Sequence, residues 1–466
     1  MLTYSFENTG KIPLYEHLYR CIRDDILAGR LTPGEKLPSK RTLARNLGIS
    51  TITVENAYGQ LTAEGYCRSA PKKGFFVTET LEKMPVQAKP AEVPELPQTE
   101  AKAWKIDFTA NTMRAEDFPF AIWTRLLRQV VSEASDELLM RSPSGGVLAL
   151  RQAIADHLRS FRGLVVSPEQ IVIGAGTEYL YSLLVKFFGR DKIFCVENPG
   201  YDRIRKVYKS NGAVCAAADM DTQGVRLDEV ERCGTDILHI SPSHHFPTGI
   251  IMPVSRRYEL LAWANRKPGR CIIEDDYDSE FRMTGRPIPT LMSIDAAGRV
   301  IYMNTFSKSL TPTIRISYMV LPANMVKPFF EKVGFYNCTV SNFEQYTLAR
   351  FIGDGYFEKH INRMRNIYRR RREELLSLLR SSENAKRLSI IERGSGLHFL
   401  LRFNTRQSDA EIVERLENMG IHMRPLAAYY EGEHPDAEHI FVLNYSNLDV
   451  EKLEQGLFRG IAGGKD

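Results

Sequence analysis

The sequence has no Cys-x-x-Cys pair; its seven cysteines are scattered from Cys21 to Cys338. That spacing offers nothing to hold a structural zinc ion. An odd, dispersed set reads as reduced, buried thiols, so a cytosolic protein is expected. No apolar run approaches the roughly 18 residues of a membrane helix. Met1 to Gly10 lack a basic start and an apolar stretch, so no secretory signal is expected. Charge of one sign is not dominant either: 62 Lys and Arg face 57 Asp and Glu. A net charge of +5 names no partner by itself. Hydrophobic residues at 43% and charged residues at 26% exclude a mainly disordered or collagen-like chain. A length of 466 residues is too great for one core, so two or three domains are expected.

The distribution of charge says more than its sum. Residues 1–77 hold eleven Lys and Arg against seven Asp and Glu. Most of the excess sits in one sixth of the chain, which hints at a polyanionic partner there. Residues 79–104 then change character. Pro85, Pro90, Pro94 and Pro97 alternate with charged residues. Proline removes amide donors and fixes φ, so neither helix nor sheet propagates. A semi-extended linker reaching on the order of 70 Å is expected. It separates a small domain, 1–78, from a large one, 105–466.

In the small domain Leu14, Leu18, Ile22 and Ile26 recur as one helix face. Pro33-Gly34 breaks the chain. Leu43, Ala44 and Leu47 mark a second helix that Gly48 stops, and Ser50 caps a third with Val54, Ala57, Tyr58 and Leu61 on one side. Two short helices joined by a tight turn make a helix-turn-helix, whose second helix fits the major groove. Ser50, Thr51 and Thr53 would face that groove. Arg68, Lys72 and Lys73 precede Gly74-Phe75-Phe76-Val77, which reads as a hairpin wing with cations placed for phosphate. From periodicity alone a simple three-helix packing module fits as well.

The large domain alternates apolar runs with helical stretches. Runs at 171–173, 193–196, 237–240, 271–273 and 300–303 read as strands; 177–188, 201–211 and 254–266 read as helices. Such alternation implies an α/β fold with a mostly parallel sheet and helices on both faces. Ligands in such folds sit beyond the C-terminal strand ends. Several candidate groups fall there. Gly174-Ala175-Gly176-Thr177 opens a helix, and the amides of Gly176, Thr177 and Glu178 would face an anion. Tyr201 follows in Glu197-Asn198-Pro199-Gly200-Tyr201, with Arg203 close behind. His244 and His245 are adjacent, but no further ligands share their spacing, so no metal is expected. Glu274-Asp275-Asp276 end an apolar strand, which is costly for acids without a task. Alternation puts Asp275 and Tyr277 on one face. Lys308 follows a strand between hydroxyls (Thr305, Ser307), and Arg315 lies seven residues on.

Together these are the parts of a pyridoxal phosphate site. An amine, Lys308, meets the aldehyde. Asp275 pairs with the pyridinium, Tyr277 reaches the phenolic oxygen, and Tyr201 stacks on the ring. The helix start and Arg315 hold the phosphate.

Two resemblances sharpen this. The stretch "PGEKLPSKRTLARNLGISTITVENAYGQLTAEGY" followed by "KKGFFV" resembles the winged helix of GntR-type bacterial regulators. The resemblance implies DNA contacts from Ser39, Arg41, Ser50, Thr51, Thr53, Lys72, Lys73 and Gly74. That family usually carries Arg after the capping Ser; Thr51 stands here, which implies a different operator. Residues 105–460 resemble fold type I aminotransferases. "ENPGY", "SHHFPTG", "EDDYDSEFR" and "TFSKSLTPTIRISY" resemble the MocR branch, which joins a GntR-type winged helix to such a domain. It implies pyridoxal 5'-phosphate on Lys308 as a Schiff base, Asp275 at N1, Tyr277 and His245 near O3′, Arg315 on the phosphate, and a small C-terminal α/β subdomain.

Departures bear on activity. Working aminotransferases usually carry a carboxylate-gripping Arg where Val442 stands, so efficient turnover of α-amino acids is not expected. Arg203 and Arg424 are candidate substitutes for an amino acid effector. Arg141 stands where the family often has a Tyr that reaches a neighbour's phosphate. The run Arg369 to Arg372, followed by Glu373 and Glu374, reads as a solvated helix face. The expected protein is a cytoplasmic, nucleoid-associated transcriptional regulator. It senses the cofactor, alone or with an amine or amino acid. A homodimer, with winged helices swapped or not, would meet two DNA half-sites. The alternatives are an active aminotransferase with an appended winged helix, and a DNA-binding protein with an empty, vestigial pocket.

Overall fold

The structure is a computed structural model that describes residues 2–6, 12–79, 104–110, 112–282, 288–381, 385–392, 394 and 396–449. The chain divides into two compact units, Met1–Ala101 and Lys102–Asp466. The expected linker, 79–104, lies outside the described residues except for its two ends.

The first unit is a winged helix-turn-helix. It contains α1 (Leu14–Leu27), α2 (Lys40–Leu47), α3 (Thr51–Ala63), β1 (Cys67–Ala70) and β2 (Gly74–Val77). Leu18, Ile22 and Ile26 are buried as their spacing requires. Leu14 is not: it opens the helix and stays exposed, while Tyr19 takes its share of the core. Ser39 and Ser50 cap α2 and α3 by accepting from the amides of Thr42 and Thr53. Gly48 ends α2 with φ 68°, a left-handed conformation that costs a glycine little. Val54, Ala57, Tyr58 and Leu61 all pack inward. β1 and β2 pair antiparallel from Cys67↔Val77 to Ala70↔Gly74.

The second unit opens with β3 (Ile106–Asp107), α4 (Phe120–Glu133), α5 (Ser135–Leu139) and α6 (Leu148–Arg162). Alternation then begins: β4 (Ile171–Gly174), α7 (Thr177–Phe188), β5 (Ile193–Asn198), α8 (Asp202–Ser210), β6 (Val214–Asp221), β7 (Gly224–Val225), α9 (Leu227–Arg232) and β8 (Ile237–Ile240). It continues with α10 (Val254–Asn265), β9 (Cys271–Asp275), α11 (Leu291–Ile294), β10 (Val300–Thr305), α12 (Phe306–Ser309), β11 (Ser317–Val320) and α13 (Ala323–Val333). Eight strands form one sheet in the order β4-β11-β10-β9-β8-β5-β6-β7. The central pairs from β10 to β6 are parallel; β11 runs antiparallel to both its neighbours, and β7 to β6.

Strand alternation divides the core between two faces. Val172, Ile273, Ile301, Met303 and Met319 pack with Leu184 of α7 and Phe329 of α13. Ile171, Ile173, Tyr302 and Tyr318 pack oppositely, with α6, α14 (Asn342–Gly353) and α15 (Tyr356–Ser381). The strands are buried on both sides, which is why their sequences are apolar runs rather than alternating ones. The small C-terminal part has β12 (Leu388–Ile391), β13 (His398–Phe403), α16 (Asp409–Asn418), β14 (Ile421–His422), β15 (Arg424–Pro425) and β16 (Ile440–Asn444). β12-β13-β16-β15 form an antiparallel sheet, and β14 pairs with β3.

The basic run on α15 is not a uniformly solvated face. Arg371 is buried against Asp117 at 2.8 Å, and Arg372 is bound to Glu392. Only Arg369 and Arg370 stay exposed. A helix that long turns through all directions, so four consecutive arginines cannot share a face.

One buried network braces the C-terminal end of β9. Arg162, ending α6, meets Asp276 at 2.7 Å, and Asp276 also accepts from Tyr302 at 2.7 Å. Both charges are almost fully buried. Breaking such a pair from one side leaves an uncompensated charge, a loss of about 3 to 5 kcal/mol. Arg162→Ala is expected to lower stability by that amount in denaturant unfolding followed by far-UV circular dichroism.

Candidate functional site

A cavity of about 710 Å³ opens where the parallel strands end. Thr177, Tyr201, Arg203, His245, Asp275, Tyr277, Thr305, Ser307, Lys308, Arg315 and Arg424 all line it.

The anion end is built by the turn from β4 into α7. Gly176 has φ 90°, and a Cβ there would fall 2.2 Å from Nη2 of Arg315. The positive φ favours glycine there, and the flexible end of the Arg315 side chain lies against it. The amide of Gly176 is not free, as the sequence suggested; it donates to the carbonyl of Gly174 at 2.8 Å. The donors left for an anion are the first amides of α7, from Thr177 and Glu178. Arg315 itself sits at φ 51°. A left-handed arginine costs on the order of 1 kcal/mol and persists where a task fixes it. Glu178 bridges two cations, Arg315 at 3.2 Å and Arg203 at 3.0 Å.

The amine end follows β10. Thr305 caps the short α12 by accepting from the Ser307 amide at 3.1 Å, and Ser317 donates to the Thr305 hydroxyl at 2.7 Å. This fixes the turn that carries Lys308. Burial pushes the Lys308 ammonium down to about 8, against the pull of Asp278 and Asp275. That leaves roughly a tenth as free amine at pH 7, and more as the pH rises.

Between these ends lies Asp275. Its Oδ2 accepts from Tyr181 at 2.9 Å and stands 3.5 Å from Nε2 of His239. Its Oδ1 is buried without any hydrogen-bond partner. A buried carboxylate oxygen with no donor is costly, by about 1 to 3 kcal/mol or more. A protonated ring nitrogen entering the cavity would satisfy it. The Tyr277 hydroxyl lies 3.3 Å from Nδ1 of His244, which bonds Asp278 at 2.8 Å. His245 bonds Thr248 through Nδ1 at 2.7 Å and faces Glu197 at 3.5 Å. Burial drives His245 down to about 3 and Glu197 up to about 8, so both are neutral at pH 7. Tyr201 stands at the mouth, 44% exposed, edge-on to Phe246.

The far wall comes from the small sheet. Arg424 on β15 is the direct partner of Val442 on β16. Directly opposed residues of an antiparallel pair point to the same side, about 5 Å apart. The position that Val442 leaves without charge thus has a guanidinium beside it. Arg424 donates to the carbonyl of Ala428 at 3.1 Å and lies over the Tyr429 ring at 4.5 Å.

Sequence reasoning missed Tyr181 and His239, and the side chains of Glu178 and Glu197, as members of this site. Tyr181 lies one turn beyond Thr177 on α7, so the helix period carried that signal. His239 lies two residues before Ser241, on the same side of its strand.

In the first unit, the hydroxyls of Ser39 and Ser50 are engaged as caps, bonding those of Thr42 and Thr53. Arg41, Thr51, Lys72 and Lys73 are exposed. Arg68 is not free for phosphate; it pairs with Glu79 at 2.9 Å and lies over Phe76. Gly74 has φ 113°, at the start of the wing's second strand.

Comparison with known proteins agrees with this division. Residues 14–77 match the model of bacterial regulatory proteins of the gntR family. Residues 104–457 match aminotransferase class I and II. The chain is 36% identical to the uncharacterized HTH-type transcriptional regulator YdeL of Bacillus subtilis (strain 168), over 98% of both chains. It is 31% identical to the probable rhizopine catabolism regulatory protein MocR of Rhizobium meliloti, over 97% of this chain and 94% of that one. Among solved structures, Pyrococcus horikoshii kynurenine aminotransferase superposes with a TM-score of 0.67 at 26% identity. That match covers 77% of this chain and 90% of that one.

Lys308 gives a direct test of the cavity's electrostatics. In cofactor-free protein its acylation by an amine-directed reagent is expected to rise with pH around a midpoint near 8. An ordinary surface lysine has its midpoint at about 10.4. Asp278→Asn removes a carboxylate that favours the ammonium, so the midpoint should fall further. Competitive labelling read by mass spectrometry measures both.

Proposed function

Because this chain belongs to the MocR-type transcriptional regulators, a GntR-family winged helix followed by an aminotransferase-like domain, we propose that its cavity binds pyridoxal 5'-phosphate and reports it to DNA. The observation that carries the reading is Asp275, whose buried Oδ1 lacks a donor in the same cavity as a partly neutral lysine. When bound, the cofactor supplies an aldehyde and an electron-withdrawing ring. The chain's own residues do the rest. Lys308 offers the nucleophilic amine. Asp275, aligned by Tyr181, keeps a ring proton in place. Arg315 and the first amides of α7 hold the phosphate dianion. Gly176 leaves room for that contact. Tyr277 and His245 face the ring's phenolic oxygen, and Tyr201 covers the mouth.

The cofactor acts alone or together with a small amine or amino acid. Arg203 pairs with Glu178, whereas Arg424 donates to a carbonyl, lies over the Tyr429 ring and has Asp202 within electrostatic reach, with no direct carboxylate contact among the described residues. Arg424 is therefore the better carboxylate site. An effector shifts DNA binding only by its differential affinity for two arrangements of the protein. A homodimer meeting two half-sites fits this, with swapped winged helices as one arrangement. Leu139 and Met140 are 84% and 70% exposed beside Phe343, an apolar patch suited to a second copy. The protein would work in the cytoplasm, at the nucleoid.

A second reading, turnover as an aminotransferase, is favoured by one observation. Arg424 stands across from Val442 and supplies the cation that position lacks. The two readings separate by spectroscopy. A regulator keeps its visible absorbance when amino acids are added; a transaminase loses it as amino group passes to the cofactor.

Lys308→Ala is expected to abolish the visible absorbance that added pyridoxal phosphate gives the wild type, since only its ε-amine makes the covalent bond. Footprinting on the gene's own promoter should show a protected site that changes with the cofactor. Absence of any protected site under both conditions would sink the proposal. Arg424→Ala should weaken amino acid binding by about 10-fold or more, the worth of a charge-assisted contact. Absorbance titration measures it, and binding of cofactor alone should not change.

A further inference from the structure

Helix α3 contains no Lys or Arg over Thr51–Ala63. Its inward face is Val54, Ala57, Tyr58 and Leu61. Its outward stripe is Ile52, Glu55, Asn56 and Gly59, all exposed at helical spacing. Ile52, at the second residue of the helix, is 68% exposed. The neighbouring helix α2 carries Lys40, Arg41 and Arg45. Glu55 is held by Lys40 at 2.5 Å. Phosphate attraction is thus supplied beside α3, not from it.

In a helix-turn-helix the N-terminal residues of the second helix meet the base edges. Guanine is read there chiefly by bidentate Arg or Lys on O6 and N7, and α3 offers neither. The apolar group of the major groove is the thymine C5 methyl. An isoleucine at the helix start has a reason to be exposed if that methyl covers it. We propose that Ile52 is a specificity-determining residue that reads thymine, so each operator half-site carries a thymine whose methyl packs on its side chain. The proposal rests on the DNA-binding reading of the first unit and is independent of the cofactor.

The experiment uses the full-length protein. Duplexes are selected from a random pool, and each thymine of the selected half-site is replaced singly by deoxyuridine, which removes only the methyl. One position per half-site is expected to weaken binding about fourfold, the worth of one buried methyl. Ile52→Ala should abolish the difference between thymine and uracil at that position, and Ile52→Val should retain part of it. Thermal unfolding should be unchanged in both variants, because the side chain is exposed. The inference is overturned if no thymine shows a methyl effect, or if the effect persists in Ile52→Ala. Selection that yields no preferred sequence would overturn it as well, and would also remove sequence-specific DNA binding, leaving cofactor uptake by the second unit as a separate question.

Discussion

The second unit depends on keeping an amine and several carboxylates together out of water. Lys308, Asp275 and Asp278 lie at the ends of neighbouring strands, where burial disfavours every charge. The lysine answers by giving up proton affinity, moving down to about 8. Asp275 receives one hydroxyl donor and leaves its other oxygen unpaired. Behind it, Asp276 is neutralised by a buried arginine and a tyrosine. Asp276 also keeps one oxygen, Oδ1, without a donor, so what sets Asp275 apart is that it lines the cavity while Asp276 does not.

Parallel strands make this possible. β9 and β10 run side by side, with Met303 opposite Asp275. The loops beyond them must therefore deliver Tyr277 and Lys308 to the same end of the sheet. The glycine at 176 and the left-handed arginine at 315 belong to the same economy of space. The guanidinium lies against the α7 turn at Gly176, where no Cβ stands between them. The small antiparallel sheet then closes the cavity, with Arg424 of β15 opposite Val442 of β16. The first unit follows a different logic. Its core is closed by three helices and a hairpin, and its chemistry lies in what it leaves exposed.

Much of this was legible before any coordinates. Buried parallel strands must be apolar runs, so β4, β5, β8, β9 and β10 stood out. The caps at Ser39 and Ser50 and the stop at Gly48 are local events, written in the residues that perform them. What failed to show were contacts between distant segments. Leu14 fits the face of α1 by spacing, yet the core ends before it. Arg371 looked like its neighbours until Asp117, far away in sequence, buried it. One miss was local: the Gly176 amide seemed free, yet it donates two residues back to the Gly174 carbonyl.

The sequence alone determined element type, the two-part organisation and the residue types each site needs. Those follow from interactions within a few residues: periodicity, capping and strain at glycine. Only the tertiary structure decided which carboxylate oxygen is left without a donor. It also decided which arginine is already engaged and which residue, Ile52, stands uncovered. Those depend on long-range packing and on the loss of solvent it brings, and neither is encoded in the spacing of neighbours along the chain.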